Sequence, residues 1–276
     1  MVESSELSDL VFLKLGGSLI TDKTTPDSFR SDVCVRLAAE IKDALASSDF
    51  RLILGHGGGA IAHSVAHRHR TAQGLPGGGG WRGFAETRRA VIDLNGRVLA
   101  AFAAREFHPV PVAPSSVAVA SAGQLRQMDT TVIEALLNRG QVPLVFGDAV
   151  LDDQWGFTIC STESIFEHIA ERLRPARVLL ACDVDGVFAG NPFDKPDARR
   201  IPVITQAAFG EVRAQIGQDG RADVTGGMLG KLIRLMQMAG MPGVREIRIF
   251  SGLIPGAVQK ALLGKYDGGT LVQVAG

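Results

Sequence analysis

The chain has 276 residues, 46% of them apolar and 21% charged, which excludes a disordered or fibrous protein and suits one large α/β unit. Lys plus Arg and Asp plus Glu both number 29, so no overall charge favours nucleic acid or an anionic membrane as partner. Any phosphate binding must come from local clusters.

Val11–Leu15 reads as a short buried strand. Asp32–Ser47 carries Val33, Leu37, Ile41 and Leu45 at helical spacing, and Arg51–Leu54 is a second strand, which completes a β-α-β unit. The pattern recurs with a helix over Glu86–Phe107, a strand at Val110–Val112, a helix over Asp129–Arg139 and a strand at Val142–Phe146. Further on, Ser161–Leu173 is a helix, Arg177–Cys182 a strand, Gly227–Ala239 a helix, and Glu246–Ser251 a strand before Pro255–Leu263. Such alternation predicts an α/β fold, an open αβα sandwich around a central, mostly parallel sheet. Between these elements Gly74–Gly80, GLPGGGG, cannot continue a helix and is expected to be a mobile loop near the histidine segment.

Cys34, Cys160 and Cys182 are widely spaced and lie in apolar surroundings, as buried reduced thiols do. No apolar run approaches the roughly 20 residues of a membrane helix, and MVESSELSDL lacks the basic and apolar regions of a signal peptide. A cytoplasmic protein is expected.

Parallel sheets bind ligands beyond the carboxyl ends of their strands, and small or acidic residues recur there. Gly16-Gly17 follows the first strand and His56-Gly57-Gly58-Gly59 the second. Gly147-Asp148, Asp183-Val184-Asp185-Gly186 and Ser251-Gly252 follow later ones. The first turn, LKLGGSLITDK, matches neither G-x-x-x-x-G-K-[ST] nor G-x-G-x-x-G. It still has the chemistry of an anion site, because glycine amides and a helix N-terminus face an anion while lysines neutralise it. Lys14 ends an apolar strand, where an unpaired ammonium would cost several kcal/mol, so it must meet an anion or reach a cleft. Lys23 lies in the polar loop beyond. HGGGAIAH, residues 56–63, is a second phosphate-type loop that presents His63 one turn inside a helix. DVTGGMLGK, residues 223–231, repeats the theme and ends at Lys231.

Together LKLGGS, the glycine loop ending in His63, Phe146-Gly147-Asp148, CDVDGVF with the following Asn191-Pro192, and DVTGGMLGK resemble the isopentenyl phosphate kinase family of the amino-acid kinase superfamily. The resemblance runs from about Val11 to about Val274. It implies one amino-acid kinase domain over 1–276, with an acceptor-binding lobe over 1–175 and a nucleotide-binding lobe over 176–276. It implies transfer of the ATP γ-phosphoryl group to the phosphate of isopentenyl phosphate, with Mg²⁺ as the accompanying ion. By position, Lys14, Gly16, Gly17 and Ser18 would hold ATP phosphates, helped by Lys23. Gly58, Gly59 and His63 would grip the acceptor phosphate, bordered by Gly147. Asp183, Gly186 and Val187 would lie along the nucleotide, and Gly227 and Lys231 would reach its phosphates. The catalytic set is Lys14, Lys23, His63 and Lys231, and Gly59 also borders the cofactor. A homodimer is implied as well.

Two departures bear on the acceptor. The family's Ser-Phe-Gly is Ala60-Ile61-Ala62 here, and its Ser-Gly-Asp is Ser161-Thr162-Glu163. A fosfomycin-kinase-like activity on a small phosphonate and a non-catalytic binder remain as alternatives. An apolar pocket lined by Ala60, Ile61 and the 86–107 helix would favour a prenyl phosphate.

Overall fold

A computed structural model describes residues 8–22, 25, 27–77, 80–190, 192–195, 197–216 and 227–273. The chain begins with β1 (Leu10–Leu15), α1 (Gly17–Ile20), α2 (Ser31–Ser47), β2 (Arg51–His56) and α3 (Gly59–Arg68). It continues through α4 (Gly74–Gly77), α5 (Gly80–Ala103), β3 (Val110–Pro111), α6 (Pro114–Val117), β4 (Ala118–Ser121), β5 (Gln124–Met128) and α7 (Thr131–Leu137). Then come β6 (Pro143–Phe146), β7 (Asp148–Asp152), β8 (Gly156–Cys160), α8 (Thr162–Leu173), β9 (Arg177–Cys182), β10 (Val187–Phe188), β11 (Arg200–Ile201) and β12 (Val203–Ile204). The last elements are α9 (Phe209–Ile216), α10 (Gly227–Ala239), β13 (Glu246–Ser251), α11 (Ala257–Leu262) and β14 (Thr270–Val272).

Eight strands form one sheet in the order β12-β14-β13-β9-β1-β2-β6-β3. Its neighbours pair in parallel except β13 with β14, so the expected mostly parallel sheet is present. Because β1 sits between β2 and β9, the chain leaves it toward one side of the sheet and later returns to the other. That reversal opens a crevice beyond the strand ends.

The two faces of β1 explain the site. Val11, Leu13 and Leu15 enter a core with α2, α5 and α11, whereas Leu10 and Phe12 enter another with α8 and α10. Side chains alternate along a strand, so Lys14 shares the face of Phe12 and meets α8. The six residues of β1 are all buried, and Lys14 is 5% exposed.

A second sheet, β5-β4-β7-β8, was not legible in the sequence. Its hairpin β7–β8 places Ile159 and Cys160 beside the crevice. The glycine-rich stretch also differs from its expected form. Gly74–Gly77 is a helical turn, with the Leu75 amide donating to the Trp155 carbonyl at 2.8 Å, and α5 starts at Gly80 rather than Glu86. Trp81 and Phe84 of that early turn pack edge and face against Phe157, so tertiary contact overrides the glycines. Gly78 and Gly79 lie outside the described residues. All three cysteines are free and buried. Among the described residues no helix is long and apolar enough to cross a membrane.

Candidate active site

The crevice encloses a cavity of about 750 Å³. Its walls include Lys14, Gly16, Gly17, Ser18, Gly58, Gly59, His63, Gly147, Asp183, Gly186, Gly227 and Lys231, so most of the expected site residues converge on one space. Two do not appear there. Val187 is fully buried in β10, where its amide donates to Thr270 Oγ1 at 2.8 Å and its side chain joins the core. Lys23 lies outside the described residues, as do Asn191 and the Asp223–Gly226 half of the DVTGGMLGK motif.

Four helix N-termini contribute to the wall: Gly17 and Ser18 open α1, Gly59 and Ala60 open α3, Thr162 and Glu163 open α8, and Gly227 and Met228 open α10. Their dipoles place partial positive charge on the cavity, which suits phosphate.

The glycines are there because two loops touch backbone to backbone. A Cβ on Gly17 would fall 2.5 Å from the Gly59 nitrogen, and one on Gly57 would fall 2.8 Å from the Gly17 nitrogen. Gly59 has φ +57°, and a Cβ there would also strike Thr21 Oγ1 at 2.5 Å. That hydroxyl donates to the Gly17 carbonyl at 2.8 Å and accepts from the Ala60 amide at 2.9 Å, which pins α1 to α3.

Lys14 forms an ion pair with Glu163, both side chains nearly inaccessible. Burial pushes the Lys14 value down, Glu163 pulls it up and Lys231 pushes it down again, leaving it below the ordinary lysine range. Burial alone would raise Glu163, but the ammonium groups of Lys14 and Lys231 outweigh it and hold the carboxyl below the usual range. Two cations thus share one carboxylate, and the cluster keeps a net positive charge for an anion. Lys231 Nζ also donates to the Gly227 carbonyl at 3.3 Å. Glu163 was visible in the sequence only as a departure from the family pattern. An acidic residue at the start of a helix is usually read as favouring the helix dipole, which hides its second task.

His56 plays another part than His63. Its ring is fully buried, lies 3.0 Å from the Gly57 carbonyl and 3.1 Å from Asn95 Oδ1, and stacks on Phe146. Burial pushes its pKa down, so it is a neutral support for the glycine loop. His67 reaches the cavity edge, whereas His69 meets Glu86 at 2.6 Å.

Near α3 and α5 the cavity wall includes Ala60, Ala62, Ala66, Val91 and Ile159, together with Ser64, His67 and Thr87. Ile61, expected in this wall, packs instead against the core that holds α2 and α5. On the other side Asp185 is held by Arg200 at 2.8 Å and by Tyr266 at 3.2 Å, so it organises the loop after β9.

Residues 9–251 match the model of the Amino acid kinase family. The chain is 37% identical over 272 residues to the isopentenyl phosphate kinase of Methanothermobacter thermautotrophicus, covering 95% of this chain and 98% of that one. It is 34% identical to the isopentenyl phosphate kinase of Methanocaldococcus jannaschii, covering 94% of this chain and 97% of that one. A solved isopentenyl phosphate kinase structure superposes with a TM-score of 0.80 at 33% identity, over 96% of this chain and 100% of that chain. A sheet of this topology, a glycine-walled cleft at its switch point and likeness over nearly the whole length lead to one assignment: the chain belongs to the amino acid kinase family.

Proposed function

We propose that this protein transfers the γ-phosphoryl group of ATP to the phosphate of isopentenyl phosphate, giving isopentenyl diphosphate. The observation that carries the reading is the convergence of Lys14, Lys231, the Gly16–Ser18 turn, the Gly58–Gly59 turn and His63 on one cavity. An acceptor phosphate is already nucleophilic at neutral pH. The protein therefore needs no strong base and has to align two anions that repel, and to neutralise charge that spreads over the transferring group.

Lys14, Gly16, Gly17 and Ser18 hold the nucleotide phosphates in this proposal, with Lys23 completing the set. Gly227 and Lys231 reach them from α10, and Asp183 and Gly186 follow the rest of the nucleotide, while Val187 supports that loop from the core. His63 donates to the acceptor phosphate above the Gly58–Gly59 turn, with Gly147 at its border. In the same proposal residues 1–175 form the acceptor lobe and residues 176–276 the nucleotide lobe.

Among the described residues no group of three His, Cys, Asp or Glu side chains is placed to hold a metal ion. Mg²⁺ keeps several waters and binds through substrate phosphates with one or two carboxylates, so Asp183 in the cavity wall fits it. Bound there it would neutralise phosphate charge.

The alanines, Val91 and Ile159 on the acceptor side favour a hydrocarbon chain over a compact phosphonate such as fosfomycin. Phosphorus NMR of a mixture with ATP, Mg²⁺ and isopentenyl phosphate tests the reading. Two coupled phosphorus signals of the new diphosphate support it, and an unchanged monophosphate signal with ATP intact refutes it. A homodimer belongs to the same proposal and is checked by sedimentation velocity.

A further inference from the structure

Thr162 opens α8 at the wall of the cavity. Its side chain is 1% exposed, lines the cavity, and is the N1 residue of α8, one position before Glu163. A threonine there has no need to cap its own helix, because Ser161 Oγ already accepts from the Ser164 amide at 3.1 Å. The Thr162 hydroxyl instead donates to the carbonyl of His56 at 2.6 Å. That carbonyl ends β2, opens the glycine loop of the acceptor side, and also accepts from the Gly147 amide at 3.1 Å.

The fit is two-sided. The Thr162 methyl lies against Gly55, where a Cβ would come within 2.6 Å of it, so the glycine inside β2 leaves the space that the threonine fills. One residue therefore touches β2, the Gly147 border and the turn carrying Glu163, the partner of Lys14.

We propose that Thr162 is a positioning residue for phosphoryl transfer, its hydroxyl fixing the acceptor-phosphate loop against the first turn of α8, which carries Glu163, the partner of Lys14 in β1. The proposal rests on the acceptor reading above. It predicts that the hydroxyl matters to acceptor binding and to turnover, while the nucleotide side is little affected. Misplacement of reacting groups by a fraction of a bond length is enough to slow such a step.

Thr162→Val keeps the shape and removes the hydroxyl, and His56 O keeps its bond from Gly147, so the variant should fold. Thr162→Ser keeps the hydroxyl. The expected result for Thr162→Val is a KM for isopentenyl phosphate raised at least fivefold and kcat lowered at least tenfold, with the KM for ATP within twofold of wild type. Thr162→Ser should stay within about threefold of wild type on every constant. Unchanged kinetics in Thr162→Val, equal damage to both KM values, or a serine variant as impaired as the valine one would overturn the proposal.

A second readout needs no acceptor. The amides of Gly57 and Gly147 are hydrogen-bonded to Leu15 O and His56 O. Their hydrogen exchange should quicken at least tenfold in Thr162→Val and stay near wild type in Thr162→Ser; equal exchange in all three proteins also overturns it. Wild-type inactivity on isopentenyl phosphate would refute the substrate reading alone, and exchange would still decide the role of Thr162.

Discussion

Lys14 and Glu163 form an ion pair across the β1–α8 interface with side chains 6% and 4% exposed, at the floor of the cavity. A strand lysine buried among apolar neighbours is tolerated because α8 delivers a carboxylate to it. Removing that carboxylate should leave a buried charge unpaired, which typically costs about 3–5 kcal/mol. Glu163→Ala should therefore lose stability on that scale in urea unfolding, and added ATP should recover part of it.

The same pair sets an acid limit. Glu163 has a lower pKa in the fold than in the unfolded chain, so the unfolded chain binds more protons between the two values. Stability from the pair is complete above the unfolded carboxyl value of about 4.3 and is lost as pH falls through the lower folded one. Melting temperatures from pH 7 down to 3 should show the gap between wild type and Glu163→Gln shrinking toward the acid end. A gap that widens there contradicts the sign.

His63 and Lys231 are assigned to opposite ends of the phosphoryl path. His63→Ala and Lys231→Ala should each lower kcat/KM at least tenfold with melting temperatures within a few degrees of wild type. His63→Ala should act mainly through the acceptor, and Lys231→Ala through ATP. Initial-rate kinetics with both substrates varied separates the two patterns.

Gly17 meets Gly59 backbone to backbone, and backbone cannot turn aside as a flexible side chain can. Gly17→Ala should cost about 1–3 kcal/mol through overpacking and abolish most activity. Gly96, where a Cβ meets nothing within 4 Å, is the control, and Gly96→Ala should be harmless in the same melts.

The cysteines should be silent in the folded protein. Burial pushes Cys34 and Cys160 up to about 12 and Cys182 up to about 11, so the thiolate that reacts with disulfide reagents is scarce. Titration with such a reagent should find no rapidly reacting thiol in buffer and three in denaturant.

The central sheet and its ligand edge were legible because apolar runs and glycine turns report local backbone needs. Helix ends were less so: α5 starts at Gly80 because Trp81 and Phe84 pack against Phe157, far along the chain. The β4–β5 and β7–β8 hairpins use short strands with exposed positions such as Val119 and Leu151, whose pattern is too brief to register. In the site, Lys14 announced itself as a charge in an apolar strand. Its partner Glu163 and the brace at Thr162 did not, since their roles depend on which strand end α8 faces. Val187 shows the reverse limit, for its motif position gave no sign that its side chain enters the core.

The most direct measurement is a coupled ATP-consumption assay with Mg²⁺, run in parallel on isopentenyl phosphate, dimethylallyl phosphate, fosfomycin and no acceptor. Fast turnover on the prenyl phosphates, with fosfomycin near the no-acceptor rate, is the expected result. Turnover on fosfomycin alone, or ATP consumption that no acceptor accelerates, would contradict the assignment of the cavity to a prenyl phosphate.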